Sequence, residues 1–365
     1  MKNANLTRAK NTKNDEFYTQ WADIEKEVQA YIEFDPNVFK GKTILCPCDD
    51  PYESNFFRYF ALQFNSFGLK KLIATCYAGS PIANTQLSLF DYEDEHNKTT
   101  KSPHKIIVNE GIDENNDGVF DLNDIISSLA KNEKNTVTRL EGDGDFMSAE
   151  CTELLKEADI VITNPPFSLF REFLGWILKA NKDFLIIGNI NAITYKEVFP
   201  LIKDNKMWLG NGFNAGNAYF STPFAESYGG GVYNPDTGLV KFRNCCWFTS
   251  LDHGRRHQEL RLMDMADNLK FSKHKELRSK SAYDKYDNYD AIEVPFTDAI
   301  PSDFNGYMGV PISFLDKYCP EQFEIIGLTA GNIKGLAGIP SATGKDGPYI
   351  NGKLKYGRVI IKKRG

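Results

Sequence analysis

Asp159-Ile-Val-Ile-Thr-Asn-Pro-Pro-Phe167 decides how this chain folds. Residues 160–163 are a short apolar, β-branched run, the pattern of a strand covered on both faces. Such strands belong to parallel sheets flanked by helices. Working outward, residues 42–46 (KTILC), 71–77 (KLIATCY) and 184–190 (FLIIGNI) repeat the signature. Helical patterns lie around them. Residues 17–34 set Trp21, Ile24, Val28 and Ile32 on one stripe; residues 53–65 end at Gly68. Residues 151–157, 169–180 and 195–202 predict three more helices. The alternation predicts an α/β fold with a parallel sheet. Residues 207–213 and 245–251 predict two later strands, a hairpin around a long Gly-rich excursion.

Two stretches break the alternation. Residues 89–138 read as a polar, acidic insertion, and residues 91–160 hold 18 acidic against 7 basic side chains. After residue 252 the strand–helix pattern is lost, which predicts a boundary there and parts 1–252 and 253–365. Across that boundary, residues 241–285 carry 11 Lys and Arg against 6 acids, with six more basic groups from 353 to 364. The net charge of −6 alone argues against a nucleic-acid partner. The distribution is compatible with DNA on the basic part, or with two solvated surfaces of opposite sign.

No apolar run approaches the roughly 20 residues of a membrane helix. Residues 1–14 are polar and basic, unlike a secretory signal. Seven cysteines, an odd number without any CxxC pair, point to a reducing cytoplasm and away from structural zinc.

Asn164-Pro165-Pro166-Phe167 sits where open α/β sheets bind ligands, at a strand's carboxyl end. Its two prolines fix φ and remove two donors, so the turn presents carbonyls. The Asn164 amide oxygen and the Pro165 carbonyl suit one amino group, and Phe167 offers a flat face for a base. That is a receptacle for an exocyclic amine on an aromatic ring. The plainer alternative is a rigid strand-to-helix turn capped by Ser168.

The tetrapeptide resembles the catalytic loop of amino-group DNA methyltransferases. Longer stretches resemble the EcoRI-type adenine-specific methyltransferase family: NDEFYT at 14–19, CPCDDP at 46–51, GDGDF at 142–146 and DIVITNPPFSLFRE at 159–172. GNINAITY within 187–195, WFTSLD at 247–252 and MGVPISF at 308–314 continue it, so the likeness runs from about residue 14 to the C-terminus.

The resemblance implies a Rossmann-like methyltransferase sheet with an acidic insertion at about 89–138 and a C-terminal target-recognition region. Residues 1–252 are then the S-adenosylmethionine-binding catalytic domain and 253–365 the DNA target-recognition region. The implied activity is methyl transfer from S-adenosylmethionine to N6 of adenine in duplex DNA, in the cytoplasm, beside a possible restriction endonuclease for the same site. Asn164, Pro165, Pro166 and Phe167 are its catalytic candidates. Cofactor candidates are Phe17, Tyr18 and Thr19, then Cys46, Pro47, Cys48, Asp49 and Asp50, then Asp143, Asp145 and Phe146. Asp49 and Asp50 stand where such loops carry glycines, a departure from the pattern, and the strand at 71–77 ends without the usual ribose-binding acid. Each segment also has a plain reading as a turn or helix start.

Outside that core, Asn189 and Asn191 close a strand and read as cleft or turn residues. Arg255, Arg256, Arg261, Lys273, Lys275 and Arg278 are DNA-contact candidates, with Tyr283, Tyr286 and Tyr289 nearby, or else a solvated helix face. Asp113, Asn115, Asp117, Gly118, Asp121 and Asp124 match a calcium loop, with Asp where the bidentate Glu normally stands; an acidic surface loop needs no metal. Rival functions are the same transfer to RNA adenine, cytosine N4 or a protein amide, and a non-catalytic DNA-binding protein on a methyltransferase fold.

Overall fold

The computed structural model describes residues 17–48, 54–76, 103–118, 120–131, 134–213, 217–222, 224–229, 231–329 and 335–364. Asp49 and Asp50 lie outside these residues. The chain divides into two compact units, Met1–Ile190 with Gly210–Leu251, and Asn191–Leu209 with Asp252–Gly365. Residues 191–209, placed on sequence within the first part, cluster with the second unit.

In the first unit the apolar runs become strands β1 (Tyr18–Thr19), β2 (Thr43–Cys46), β3 (Lys71–Thr75), β4 (His104–Val108), β5 (Thr136–Arg139), β6 (Ile160–Thr163) and β7 (Asp183–Asn189). After β8 (Trp208–Leu209), which belongs to the second unit, come β9 (Asn217–Ser221), β10 (Tyr233–Asn234), β11 (Leu239–Arg243) and β12 (Cys245–Thr249). The first unit's helices are α1 (Trp21–Phe34), α2 (Asn55–Leu62), α3 (Leu122–Lys131), α4 (Ala149–Glu157) and α5 (Phe170–Lys179).

Every residue of β2 and β6 is buried, because both strands lie at the centre of a large mixed sheet. Its first-unit strands run in the order β5-β4-β3-β2-β6-β7-β12. Strands β3, β2, β6 and β7 are parallel, and β4, β5 and β12 antiparallel to their neighbours. From β2 the chain goes through α2 to β3 on one side, while β6 lies on the other. The carboxyl ends of β2 and β6 therefore flank a switch point, where ligands enter such sheets.

The acidic stretch is not an excursion from the sheet. Residues 104–139 supply β4, α3 and β5, which extend it on the β3 side. Ile106, Val108, Ile125 and Leu129 reach the core, their short periodicity masked by abundant surface charge. The Gly-rich excursion is also built: β9, β10 and β11 form a second, antiparallel sheet with β1, in the order β1-β9-β11-β10. Ala218, Phe220, Val240 and Phe242 alternate with polar residues and face the core.

Helix α1 starts at Trp21 and not Phe17, because Tyr18 and Thr19 pair with Ser221 and Phe220. Its buried stripe includes a carboxylate, Glu27. The Glu27 oxygens accept from Tyr31 Oη and from the amides of Asn211 and Gly212, each at 2.8 Å. Burial pushes its pKa up from 4.5 to about 7, against the lowering effect of those bonds. A raised carboxyl pKa favours the fold below pH 4.5 and withdraws that contribution as pH rises through 7. Thermal melts are expected to show stability falling between pH 5 and 8 by on the order of 3 kcal/mol. In Glu27→Gln that component of the slope is expected to vanish; an unchanged slope would assign it elsewhere.

The second unit holds α6 (Phe199–Lys203), α7 (Met265–Phe271) and α8 (Lys275–Arg278), and a four-stranded sheet. Its strands β13 (Ala291–Glu293), β14 (Tyr307–Val310), β18 (Val359–Lys363) and β15 (Phe323–Leu328) lie in that order, and β16 (Tyr349–Ile350) and β17 (Lys353–Leu354) form a hairpin. The helix expected at 195–202 begins at Phe199, with Pro200 in its first turn where a missing N–H costs nothing. The basic C-terminal stretch is not a loose arm. Arg358 pairs with Glu293 at 2.6 Å, and Lys363 and Arg364 bond the carbonyls of Ser302 and Pro320.

Candidate active site

The loop after β6 opens at the switch point. Thr163 ends β6, and Asn164 follows with its side-chain nitrogen donating to the Phe17 carbonyl at 2.6 Å. A carbonyl only accepts, so this bond fixes which end of the amide is oxygen. That oxygen, Oδ1, is buried and has no hydrogen-bond partner among the described residues. A buried acceptor left unmade costs about 1–3 kcal/mol, a cost a ligand donor would remove.

Pro165 is buried and Pro166 half-buried. Pro166 caps the short 3-10 turn Phe167–Leu169, and Leu169 caps α5; neither position has a side-chain cap. Phe167 packs on Phe17 with ring centroids 5.7 Å apart and planes at 29°, and meets Phe220 and Phe242 edge-on.

The segment 17–19 joins this loop to the neighbouring one. Two residues after the Phe17 carbonyl, the Thr19 carbonyl accepts from Asn55 Nδ2 at 2.8 Å. Asn55 opens α2, the helix that follows the loop after β2, behind the N-cap Ser54. Thus Asn164 and Asn55 clamp the two ends of one three-residue segment. Thr19 Oγ1 is a second buried oxygen without a partner among the described residues. Sequence reading missed Asn55, although its signal, an Asn at a helix start after a candidate ligand loop, was present.

Cys46 and Pro47 are buried at the end of β2, and Cys48 is half-buried. The Pro47 carbonyl accepts from Thr75 Oγ1 at 3.0 Å, tying the ends of β2 and β3 together. Strand β3 ends at Thr75, and Tyr77 lies outside the described residues. Burial raises the Cys151 thiol pKa; Ser148 and Thr75 bond to it, and Asp145 adds a repulsive charge. Asp145 therefore stands in the same neighbourhood. Its Oδ1 accepts from the Met147 amide, while Asp143 is exposed and accepts from the Asp145 amide. Phe146 is buried against Phe173 and Trp176, at 5.0 and 5.5 Å, so its ring is already packed by protein. Asn189 lies opposite Cys245 in the sheet, and the Asn191 carbonyl accepts from Thr194, as turn residues do.

The comparisons with known proteins now bear on this arrangement. A family model described as "Adenine-specific methyltransferase EcoRI" matches residues 5–364. The chain belongs to that family. It is 43% identical over 98% of its length to the Escherichia coli protein named Type II methyltransferase M.EcoRI, covering 96% of that protein. It is 34% identical to Type II methyltransferase M.MpnI of Mycoplasma pneumoniae, covering 98% of both chains. A Mycoplasma genitalium member, Type II methyltransferase M.MgeORF184P, is 35% identical over the same shares. No solved structure matches the chain.

Other sequence candidates of this family member are placed differently. Arg255 pairs with Asp316 at 2.5 Å. Arg256 lies over the Trp208 ring at 3.8 Å and bonds Asn205 and Asp252, so its guanidinium serves packing. Tyr283, Tyr286 and Tyr289 are buried in the second unit and not displayed for DNA. Lys273 is exposed but paired with Asp298. Lys275, Arg278 and Arg261 are exposed, and no ion pair engages them among the described residues.

The calcium-like stretch folds into a helix-capping loop. Asp124 is buried and accepts the amides of Glu114, Asn115 and Asp121, which holds its carboxyl below the usual range. Asp113 and Asn115 accept from Asp117 and Gly118, and Asp121 from Asn123. These oxygens face backbone amides, and among the described residues no three ligating groups converge. No helix among the described residues is long and apolar enough to cross a membrane.

Proposed function

We propose that the chain is a site-specific DNA adenine N6-methyltransferase that uses S-adenosylmethionine and acts on an adenine swung out of the duplex. The observation that carries this is the Asn164 amide: nitrogen fixed on the Phe17 carbonyl, oxygen buried and unpartnered. An acceptor of that kind suits an exocyclic N–H. Asn164 Oδ1 and the Pro165 carbonyl together accept the two N6 protons, which draws the lone pair out of conjugation with the ring. Phe167, with Pro166 holding the turn, forms the aromatic wall. The protein's contribution is positioning, and no side-chain nucleophile takes part.

The residues present fit the cofactor. Thr19 offers an unpartnered buried hydroxyl, and the Thr75–Pro47 bond ties together the ends of β2 and β3 where a Rossmann-like sheet takes its ligand. Phe17, Tyr18, Thr19, the 46–50 loop and Asp145 would hold S-adenosylmethionine, which when bound supplies an electrophilic sulfonium methyl. Asp143 and Phe146 support this site from outside, one in the turn and one in the core. Asn55→Ala frees the Thr19 carbonyl. It is expected to raise the KM for S-adenosylmethionine about fivefold, roughly 1 kcal/mol, with kcat nearly unchanged. Steady-state kinetics check it; a loss confined to kcat would contradict the clamp.

The second unit is the target-recognition region in this reading, with Lys275, Arg278 and Arg261 as its free phosphate contacts. The Type II naming of the relatives favours a paired restriction endonuclease and a cytoplasmic setting. Long-read sequencing of DNA from cells expressing the chain tests the whole. N6-methyladenine at one short motif, lost in Asn164→Ala, is the expected result; no modified adenine from soluble protein would overturn it.

A further inference from the structure

The small sheet β1-β9-β11-β10 has two unlike faces. Its inner residues Phe220 and Phe242 touch the Phe167 ring, so the sheet backs the Asn164–Phe167 loop within the first unit. Its outer face carries Tyr219, Lys241 and Arg243, with Lys241 opposite Tyr219 and its ammonium 5.6 Å from the ring centre. Tyr219 and Arg243 are exposed, and no ion pair engages Lys241 or Arg243 among the described residues. None of the four strands contains an acid, in a chain with 49 acidic and 43 basic residues. Along β9, β10 and β11 the nearest acids in sequence are Asp236, between β10 and β11, and Glu226, after β9, neither within five residues of Arg243.

We infer that this outer face binds the DNA backbone next to the flipped adenine, with Lys241 and Arg243 on phosphates and Tyr219 against the sugar or an unstacked base. The inference rests on the DNA-adenine reading above and adds a contact surface outside residues 253–365. Three physical arguments support it. A flipped base stays tethered to its own strand, so the phosphates flanking it must lie within a nucleotide's reach of the pocket that holds it. The sheet is the wall of that pocket. Alternate residues of a strand are about 7 Å apart, the order of the spacing between successive phosphates. Cations interleaved with an aromatic ring are the composition of surfaces that track a nucleic-acid strand.

The test measures binding of a fluorescent duplex oligonucleotide across a salt series. The full-length protein is compared with Lys241→Gln/Arg243→Gln and with the charge-keeping Lys241→Arg/Arg243→Lys. Loss of two phosphate contacts is expected to reduce the slope of log K against log salt by about two and to weaken binding at least about tenfold. The charge-keeping variant retains the slope, and S-adenosylmethionine affinity by calorimetry is unchanged in both. If the double Gln variant loses cofactor binding, Arg243→Gln alone is measured, with a slope reduced by about one. An unchanged slope with cofactor binding intact overturns this surface only. A wild-type protein that neither binds nor methylates duplex DNA overturns the parent reading as well.

Discussion

Asn164→Ala is expected to lower kcat by about 10² to 10³ while S-adenosylmethionine still binds within a few-fold of wild type. Two losses combine in it. The target amine loses one of its two acceptors, and the Phe17 carbonyl loses the 2.6 Å bond that seats the first aromatic residue on Phe167. Asn164→Asp separates them. It keeps an acceptor oxygen but sets a carboxylate oxygen against the Phe17 carbonyl, so seating suffers while acceptance survives. An aspartate variant much more active than alanine supports the acceptor role. Equal loss in both would move the weight to the Phe17 contact, and full activity in Asn164→Ala would remove Asn164 from the chemistry.

A large loss of stability is expected from Gly210→Ala. A Cβ there would stand 2.0 Å from Glu27 Oε1, 2.8 Å from Trp247 Cβ and 2.9 Å from Tyr31 Oη. Glu27 and Tyr31 are fully buried and Trp247 nearly so, leaving none of them room to retreat. The Glu27 carboxylate would have to leave the Asn211 and Gly212 amides, stranding buried donors beside a displaced charge. Unpaired buried groups and overpacking together are expected to cost about 3–5 kcal/mol. Urea denaturation checks this, with the midpoint falling and the slope unchanged. A cost under about 1 kcal/mol would show that the Glu27 site yields more than its packing suggests.

The central sheet was legible because its strands are short, continuously apolar and bounded by turn residues, as in TILC and IVIT. The pattern at 136–140 marked β5, but β4 was hidden because its short apolar run, IIV at 106–108, sits inside a polar stretch that reads as one insertion. Strands β9 and β11 were hidden because glycines on both sides read as a loop, although Ala218, Phe220, Val240 and Phe242 keep a period of two. At the site, Asn164 and Phe167 stood out because Asn-Pro-Pro-Phe after a strand has a chemical meaning. Asn55 and Thr75 did not, since a single polar residue gains its role only from partners distant in sequence. The partners of Arg256 were hidden for the same reason: Trp208, Asn205 and Asp252 hold its guanidinium.

The most direct test supplies the purified full-length protein with S-adenosylmethionine carrying an isotope-labelled methyl group and with duplex DNA. The DNA is then digested to nucleosides and the label located by mass spectrometry. The account predicts label on N6-methyl-2′-deoxyadenosine alone, and none on matched RNA. Label on N4-methyl-2′-deoxycytidine, on RNA, or nowhere despite bound cofactor would contradict it.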